Sequence, residues 1–181
     1  MTPSSPPSDP APAGGHLVLV GMMASGKTSV GRRVADRLGR DFLDSDDQVE
    51  ARTGRTVREI FEADGEDAFR VLEAEALSAA LDRPEPVVVA AAGGVVLNPD
   101  NRRRLRRAGT VVWLHAEPAV LARRVGGSDH RPLLGDDPAG VLARMERERA
   151  ALYREVADHV VDVGQRGPDE AAEAVLALVD R

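Results

Sequence analysis

The amino-acid sequence predicts a three-layer α/β/α domain around a parallel sheet of about five strands. Short apolar runs alternate with helical patterns along the chain, and this alternation is typical of a parallel sheet with helices on both faces. The first run, 17–20, is apolar at every position, as in a strand buried on both faces. The 181 residues, 43% of them hydrophobic and 30% charged, fit one globular domain.

Five apolar runs are the predicted strands. They are residues 17–20, 41–44, 87–91, 110–115 and 159–163. Because helical segments separate the runs, we expect the strands to be parallel.

Helical patterns fill the segments between these runs. In the first, apolar residues recur at a spacing of four from Val30 to Leu38, and Gly39 closes the pattern. The segment 56–59 matches a capping box, so a short extra helix is expected to begin there. The other predicted helices are 68–81, 99–108, 118–125, 139–156 and 169–179.

Two segments have the composition of irregular structure. Residues 1–15 hold five prolines, so a disordered tail is expected before a single domain over residues 16–181. Residues 126–138 hold adjacent glycines, two prolines and several charges. A loop of this length inside a compact domain is more often functional or mobile than accidental.

Composition argues against several classes of function. The formal net charge is −6 and no basic run is interleaved with aromatic residues, so nucleic-acid binding is not expected. The absence of cysteine rules out disulfides, thiolate zinc sites and cysteine nucleophiles. No apolar run is long enough for a membrane helix and no secretion signal is evident, so a cytoplasmic protein without a membrane partner is expected.

The segment 21–28 matches the phosphate-loop pattern G-x-x-x-x-G-K-[ST], directly after the first apolar run and directly before the first helical pattern. Its backbone N–H groups are expected to hold phosphate oxygens, Lys27 to neutralise the β- and γ-phosphates of ATP, and the Thr28 hydroxyl to bind Mg²⁺. The residues predicted to bind ATP here are Ala24, Ser25, Gly26, Lys27, Thr28 and Ser29.

Lys27 is the only lysine, against 23 arginines. Its ammonium group is a compact point charge that a planar guanidinium cannot replace, which favours a phosphate contact. The alternative is a glycine-bearing turn with an incidental lysine. A GTPase of the usual type is disfavoured, because an N-K-x-D sequence would need a second lysine.

Asp44 and Asp46 end the second predicted strand. Alternation along a strand puts both carboxylates on one side, at the strand end where parallel sheets bind ligands. We expect Asp44 to orient Mg²⁺ through water and Asp46 to accept the proton of an attacking hydroxyl. The alternative is two solvated aspartates before a helix, one of them its N-cap.

Several short segments follow one another in a specific order and spacing. They are Gly26-Lys27-Thr28, Asp44-Ser45-Asp46, Ile60-Phe61, Asp64-Gly65-Glu66, Phe69-Arg70, Gly93-Gly94, Arg131-Pro132-Leu133-Leu134, Arg149 and Leu152-Tyr153. In these segments the chain resembles the shikimate kinase family. The resemblance implies a P-loop kinase fold with a mobile lid. It also implies transfer of the γ-phosphoryl group of ATP to the 3-hydroxyl of shikimate, on the route to chorismate and the aromatic amino acids.

The resemblance also implies roles for individual residues. Asp46 would be the base on the shikimate hydroxyls, and Arg70 and Arg149 would bind the substrate carboxylate, for which arginine forks are suited. Gly93 and Gly94 would bring backbone close to the substrate.

Three more arginines resemble nucleotide-side residues of the family. Arg131, in the loop 126–138, resembles the lid arginine that reaches the transferring phosphoryl group, and completes a catalytic set with Lys27 and Asp46. Arg166 resembles the residue that lies along the adenine, and Arg124 is a further candidate.

Both substrate arginines also have a purely structural interpretation. Arg70 has Glu66 and Glu73 at helical spacing and could form ion pairs with them. Arg149 lies in a run of charged residues that is also typical of a solvated helix face.

The chain departs from the family at Ala24 and Ala92, where glycine is usual. At Ala92 the Cβ restricts the backbone and could alter how the substrate fits.

Two other functions stay open. One is another small-molecule kinase of this fold, such as a gluconate kinase. The other is a nucleotide-binding regulatory module without catalysis. A monomer is expected.

Overall fold

A computed structural model describes residues 15–125 and 137–179 of the chain. The strands are β1 His16–Val20, β2 Phe42–Asp44, β3 Val88–Ala90, β4 Gly109–His115 and β5 His159–Asp162. They form one parallel sheet in the order β2-β3-β1-β4-β5. The predicted α/β class with a five-stranded parallel sheet is therefore confirmed.

Seven helices in the described ranges accompany the sheet. They are α1 Lys27–Leu38, α2 Ser45–Thr53, α3 Val57–Leu81, α4 Pro99–Ala108, α5 Pro118–Val125, α6 Pro138–Val156 and α7 Pro168–Val179. A 3-10 turn spans Val95–Leu97. Within these ranges no helix has the length and apolar character needed to cross a membrane.

The core follows from the apolar runs. Every residue of β1 and β3 is buried, as expected when helices cover both faces of a parallel sheet. A second, smaller apolar cluster joins Val49 of α2 to Ile60, Phe69 and Ala76 of α3. This cluster fixes α2 against α3 beside the carboxyl edge of the sheet.

The strand order determines where a ligand can bind. The chain leaves β1 toward β2 and leaves β3 in the opposite direction, toward β4. Where the connections from two neighbouring strands run in opposite directions, a crevice opens at the carboxyl ends of the strands, and ligands of α/β sheets bind there. The phosphate loop after β1 and the segment 91–94 after β3 both lie there.

Several boundaries differ from the sequence-based expectation. Helix α3 contains both the short helix expected at 56 and the helix expected at 68–81, because Gly65, with φ of 84° and ψ of 175°, is non-helical and divides α3 into two helical segments. The two predicted helices are therefore confirmed, with the second beginning earlier than residue 68. Helix α2 was implied only by the N-cap alternative for Asp44 and Asp46, because only Ser45 and Val49 of it are buried. The predicted loop 126–138 ends early, since Pro138 is the first residue of α6. Its residues 126–136, like residues 1–14 of the predicted tail, lie outside the described residues.

Candidate active site

A cleft of about 620 Å³ opens at the carboxyl edge of the sheet. Its walls come from the phosphate loop, the ends of β2 and β3, and helices α2, α3 and α6. The predicted site residues that line it are Ala24, Gly26, Lys27, Thr28, Ser29, Asp44, Asp46, Arg70, Gly93, Gly94 and Arg149. Residues predicted for the nucleotide and for the acceptor thus share one cleft, which Arg124 also lines.

Two predicted residues within the described ranges, Ser25 and Arg166, are not on the cleft wall. Ser25 is buried and its Oγ has no hydrogen-bond partner. Arg166 follows β5 and donates to the carbonyl oxygen of Asp162. Arg131 lies outside the described residues.

The phosphate loop connects β1 to α1 through two glycines with positive φ. A Cβ on Gly21, whose φ is 145°, would lie 2.5 Å from the Leu114 carbonyl oxygen, so a side chain there is excluded. Gly26 precedes α1 in the left-handed region. Lys27 Nζ donates to the carbonyl oxygens of Gly21 and Met22 at 2.8 and 2.9 Å. Its charge therefore lies beside the first turn of α1, where free N–H groups and the helix dipole favour an anion.

The two departures from the family pattern differ in backbone conformation. Ala24 has φ of 62° and is the only non-glycine residue with positive φ among the described residues. A left-handed conformation costs an L-residue roughly 1–2 kcal/mol. Ala92 has no positive φ, and its N–H donates to Ser45 Oγ at 2.8 Å. The Cβ at 92 therefore needs no strained backbone.

Thr28 and Asp44 meet at the floor of the cleft. Thr28 Oγ1 donates to Asp44 Oδ2 at 2.6 Å, so a hydroxyl and a carboxylate face the same point. Within residues 15–125 and 137–179 no three acidic or histidine side chains converge as a metal site. Mg²⁺ fits such a sparse oxygen set, because it keeps waters and takes further ligands from substrate phosphates.

Asp46 lies in the first turn of α2 and not at the end of a strand. The alternation argument for Asp44 and Asp46 was therefore wrong, and the two carboxylates are close for another reason. Asp44 is the N-cap of α2, and its Oδ1 accepts the Asp46 N–H at 3.0 Å. The N-cap alternative describes Asp44 correctly.

The Asp46 carboxyl is partly buried. Burial, together with the neighbouring Asp44 charge, raises the pKa of Asp46 to about 6. Its Oδ1 is buried without a hydrogen-bond partner. The pKa of this carboxyl group lies closer to neutral pH than that of a solvated aspartate, which suits the group to accept a proton.

Arg70 extends from α3 into the cleft, and two carboxylates hold its guanidinium. It pairs with Glu66 at 2.7 Å and with Glu73 at 2.9 Å, so the ion-pair interpretation describes its contacts correctly. The Glu73 side chain is only 2% exposed, and burial raises its pKa to about 7 although Arg70 opposes this. The arginine remains on the cleft wall with 21% of its side chain exposed.

Arg149 is buried and does not lie on a solvated face. It is 6% exposed and its Nε has no hydrogen-bond partner, while Nη1 donates weakly to Gly93 O at 3.4 Å. One helical turn later, Tyr153 OH donates to the same carbonyl oxygen at 2.7 Å. An incompletely bonded guanidinium at the cleft wall is suited to an anionic ligand.

Sequence reasoning missed part of the cleft wall. Glu50, Val57 and Phe61 line it, and Glu73 supports Arg70 from a buried position. Two sequence features could have identified these residues. They are the helical spacing between Arg70 and Glu73 and the apolar residues of the capping-box segment.

The two ends of the cleft suit different ligand groups. One end of the cleft has a loop and helix terminus suited to phosphates, and the other has two arginines suited to a carboxylate. Asp46 lies between them. The site can therefore place a hydroxyl of a small anionic polyol against a terminal phosphate.

Comparison with known proteins points to one family. The family model described as shikimate kinase matches residues 23–180. A shikimate kinase of Symbiobacterium thermophilum is 45% identical over 170 residues, covering 92% of this chain and 97% of the relative. A shikimate kinase structure from Acinetobacter baumannii in complex with shikimate has a TM-score of 0.88 at 37% identity, covering 91% of this chain and 92% of that one. A gluconokinase of Sinorhizobium meliloti reaches a TM-score of 0.62 at 22% identity, with 93% of each chain covered, and this likeness concerns the fold alone.

Proposed function

The chain belongs to the shikimate kinase family, and from this premise we propose that it transfers the γ-phosphoryl group of ATP to the 3-hydroxyl of shikimate. The products are shikimate 3-phosphate and ADP. The chain is thus an enzyme, a phosphotransferase with an alcohol as acceptor. Neither a gluconate kinase nor a catalytically silent module is favoured by the comparisons.

On the nucleotide side, the loop N–H groups bind phosphate oxygens and Lys27 neutralises charge on the β- and γ-phosphates. Thr28 and Asp44 would hold Mg²⁺, which would supply positive charge against the charge that develops on the phosphoryl oxygens. Ala24, Ser25, Gly26 and Ser29 belong to this ATP site in the proposal.

On the acceptor side, Arg70 and Arg149 bind the shikimate carboxylate, and Gly93 and Gly94 contribute backbone. The 3-hydroxyl oxygen then attacks the γ-phosphorus while its proton passes to Asp46, and ADP leaves. The raised pKa of Asp46 supports this role.

The observation that carries the proposal is that Arg149, with a buried and unpartnered Nε, lines the same cleft as Lys27 and Asp46. A buried guanidinium with an open donor favours a ligand that accepts hydrogen bonds, and its charge favours an anionic one. A phosphate loop alone would fit many nucleotide enzymes, but the opposing arginine fits a carboxylate acceptor.

A coupled ADP-release assay tests the function. We expect turnover with ATP, Mg²⁺ and shikimate, little with gluconate in place of shikimate, and none when EDTA removes the metal. Turnover with gluconate and not with shikimate would overturn the substrate assignment. Absence of turnover with either acceptor, despite ATP binding, would favour the regulatory module.

Other assignments rest on the family resemblance. We propose that Arg131 acts on the transferring phosphoryl group, that Arg166 lies along the adenine, and that Arg124 reaches the nucleotide. A monomer and a cytoplasmic location complete the proposal.

A further inference from the structure

Tyr153 occupies the centre of the core with its hydroxyl directed at the substrate side of the cleft. The residue is 0% exposed, and its ring stacks on Trp113 of β4 with centroids 5.4 Å apart. The ring therefore belongs to the core, whereas the hydroxyl reaches the Gly93 carbonyl oxygen at 2.7 Å.

This hydrogen bond fixes a peptide rather than a side chain. The described residues contain no cis peptide bond, so the N–H of Gly94 points opposite to the Gly93 carbonyl. Holding that carbonyl toward α6 consequently holds the Gly94 N–H away from α6. Turn hydrogen bonds from Val95 N–H to Ala92 O and from Leu97 N–H to Gly94 O already order this segment, so the phenol adds a side-chain anchor at the Gly93 carbonyl.

The same hydroxyl lies beside Arg149. Arg149 precedes Tyr153 by four residues on one face of α6, and both donate to Gly93 O. The 2.7 Å bond from Tyr153 is the shorter of the two, so the carbonyl is largely satisfied without the guanidinium. Arg149 can then turn its donors to a ligand without leaving a buried carbonyl unpaired.

We propose that Tyr153 is a positioning residue for the acceptor site, because its hydroxyl sets the orientation of the Gly93-Gly94 peptide and releases Arg149 for the substrate carboxylate. The inference rests on the proposed function, since shikimate is the ligand whose affinity depends on it. Tyr153 touches no reacting atom and acts through Gly93 and Arg149.

The protonation state of the phenol supports this role. Burial raises the pKa of Tyr153 well above its ordinary value, although the nearby Arg149 charge opposes the shift. The hydroxyl therefore stays protonated and keeps donating throughout the working pH range.

The variant Tyr153→Phe removes the hydroxyl and keeps the ring. We expect KM for shikimate, and its Kd by calorimetry, to rise about 3- to 10-fold, as for one lost hydrogen bond, while KM for ATP and the fluorescence of Trp113 stay unchanged. Thr53→Val is the matched control, because its hydroxyl also donates to a backbone carbonyl, that of Val49 at 2.8 Å, but does not line the cleft. Both KM values of this control should equal those of the parent chain.

A lower melting temperature of Tyr153→Phe with unchanged shikimate Kd would overturn the inference and leave a structural role only. Equal rises in both KM values would also overturn it. If the unaltered chain neither binds nor phosphorylates shikimate, the proposed function fails instead, so the two failures are distinguishable.

A second measurement does not depend on the folding of a variant. The chain has one tyrosine, so biosynthetic incorporation of 3-fluorotyrosine labels Tyr153 alone. We expect shikimate without nucleotide to shift the ¹⁹F resonance, because Arg149, which lies beside the phenol, leaves the Gly93 carbonyl for the substrate carboxylate while Tyr153 keeps its bond to that carbonyl. An unmoved resonance at saturating shikimate would contradict the inference.

Discussion

The two ends of the cleft are built in different ways. The phosphate end comes from one continuous segment, 21–28, and mostly uses backbone together with one lysine. The acceptor end uses charged side chains from three helices, Asp46 of α2, Arg70 of α3 and Arg149 of α6. A local site is specified by a single motif, whereas a dispersed site depends on how distant elements pack. Changes at each end should therefore affect one ligand and not the other.

The largest effect is expected at the point where the two ends meet. Asp46→Asn should lower kcat by about 10² to 10⁴, because an amide cannot accept the hydroxyl proton. The Kd for ATP, measured by calorimetry, should change little, since Asp46 belongs to the acceptor end.

Asp47→Asn is the matched control for this variant. Asp47 is the next residue of α2, but its side chain is 61% exposed and pairs with Arg32, so turnover should stay near that of the parent chain. Loss of ATP affinity in Asp46→Asn would show that Asp46 serves the nucleotide.

Lys27→Ala tests the phosphate end. We expect kcat to fall by about 10² to 10³, because a charge aimed at the transferring phosphoryl group is lost. The Kd for shikimate without nucleotide should not change.

Arg33→Ala removes a charge from the same helix and provides the control. Arg33 pairs with Asp169 and does not line the cleft, so its kinetics should match those of the parent chain. If Lys27→Ala also abolished shikimate binding, the two ends would not be independent.

Arg70→Lys should act on the acceptor end alone. A lysine keeps the charge but cannot form a bidentate fork, so shikimate binding should weaken by ~1–3 kcal/mol, seen as a higher KM at unchanged KM for ATP. Arg58→Lys, at a residue of α3 whose side chain is 53% exposed and pairs with Glu62, is the control. An unchanged KM for shikimate would leave Arg70 with ion pairing as its only role.

The smallest effects are expected from the two alanines. Ala24→Gly should stabilise the fold by ~0.5–1 kcal/mol, because relief of the left-handed conformation exceeds the added entropy of the unfolded chain. Ala92→Gly should destabilise it by ~0.4–1 kcal/mol, because its backbone needs no glycine, and should change KM for shikimate little. Denaturant unfolding of both variants measures the change in the free energy of unfolding. A change in the same direction for both variants would contradict this account.

The same contrast explains what the sequence alone could predict. The phosphate loop was readable from its motif and its position between a strand and a helix. Proline at the start of α4 and α5 made their bounds predictable. Helix α2 was implied only by the N-cap alternative, because a helix with little buried surface has no apolar period, and strand alternation was preferred as the explanation for Asp44 and Asp46.

Prediction of the acceptor end requires more than the local sequence around each residue. Nothing in the charged run around Arg149 distinguishes a buried arginine from its exposed neighbours Arg147 and Glu148. The spacing of Leu142, Met145, Tyr153 and Val156 along α6 puts position 149 on the buried face. The packing of α6 against α5 and the 3-10 turn then decides where this face lies in the fold. Glu73 likewise has the spacing of a surface ion pair, and its burial comes from tertiary contacts.

The contact between Gly94 and Arg70 couples these two positions. A Cβ at position 94 would lie 1.8 Å from Arg70 Nη1, so any side chain there displaces the flexible end of the arginine. The guanidinium would then leave its place between Glu66 and Glu73, and a change at 94 would reach substrate binding through position 70. Removing the arginine does not relieve the conflict, because Arg70→Ala leaves the buried Glu73 carboxyl without its partner.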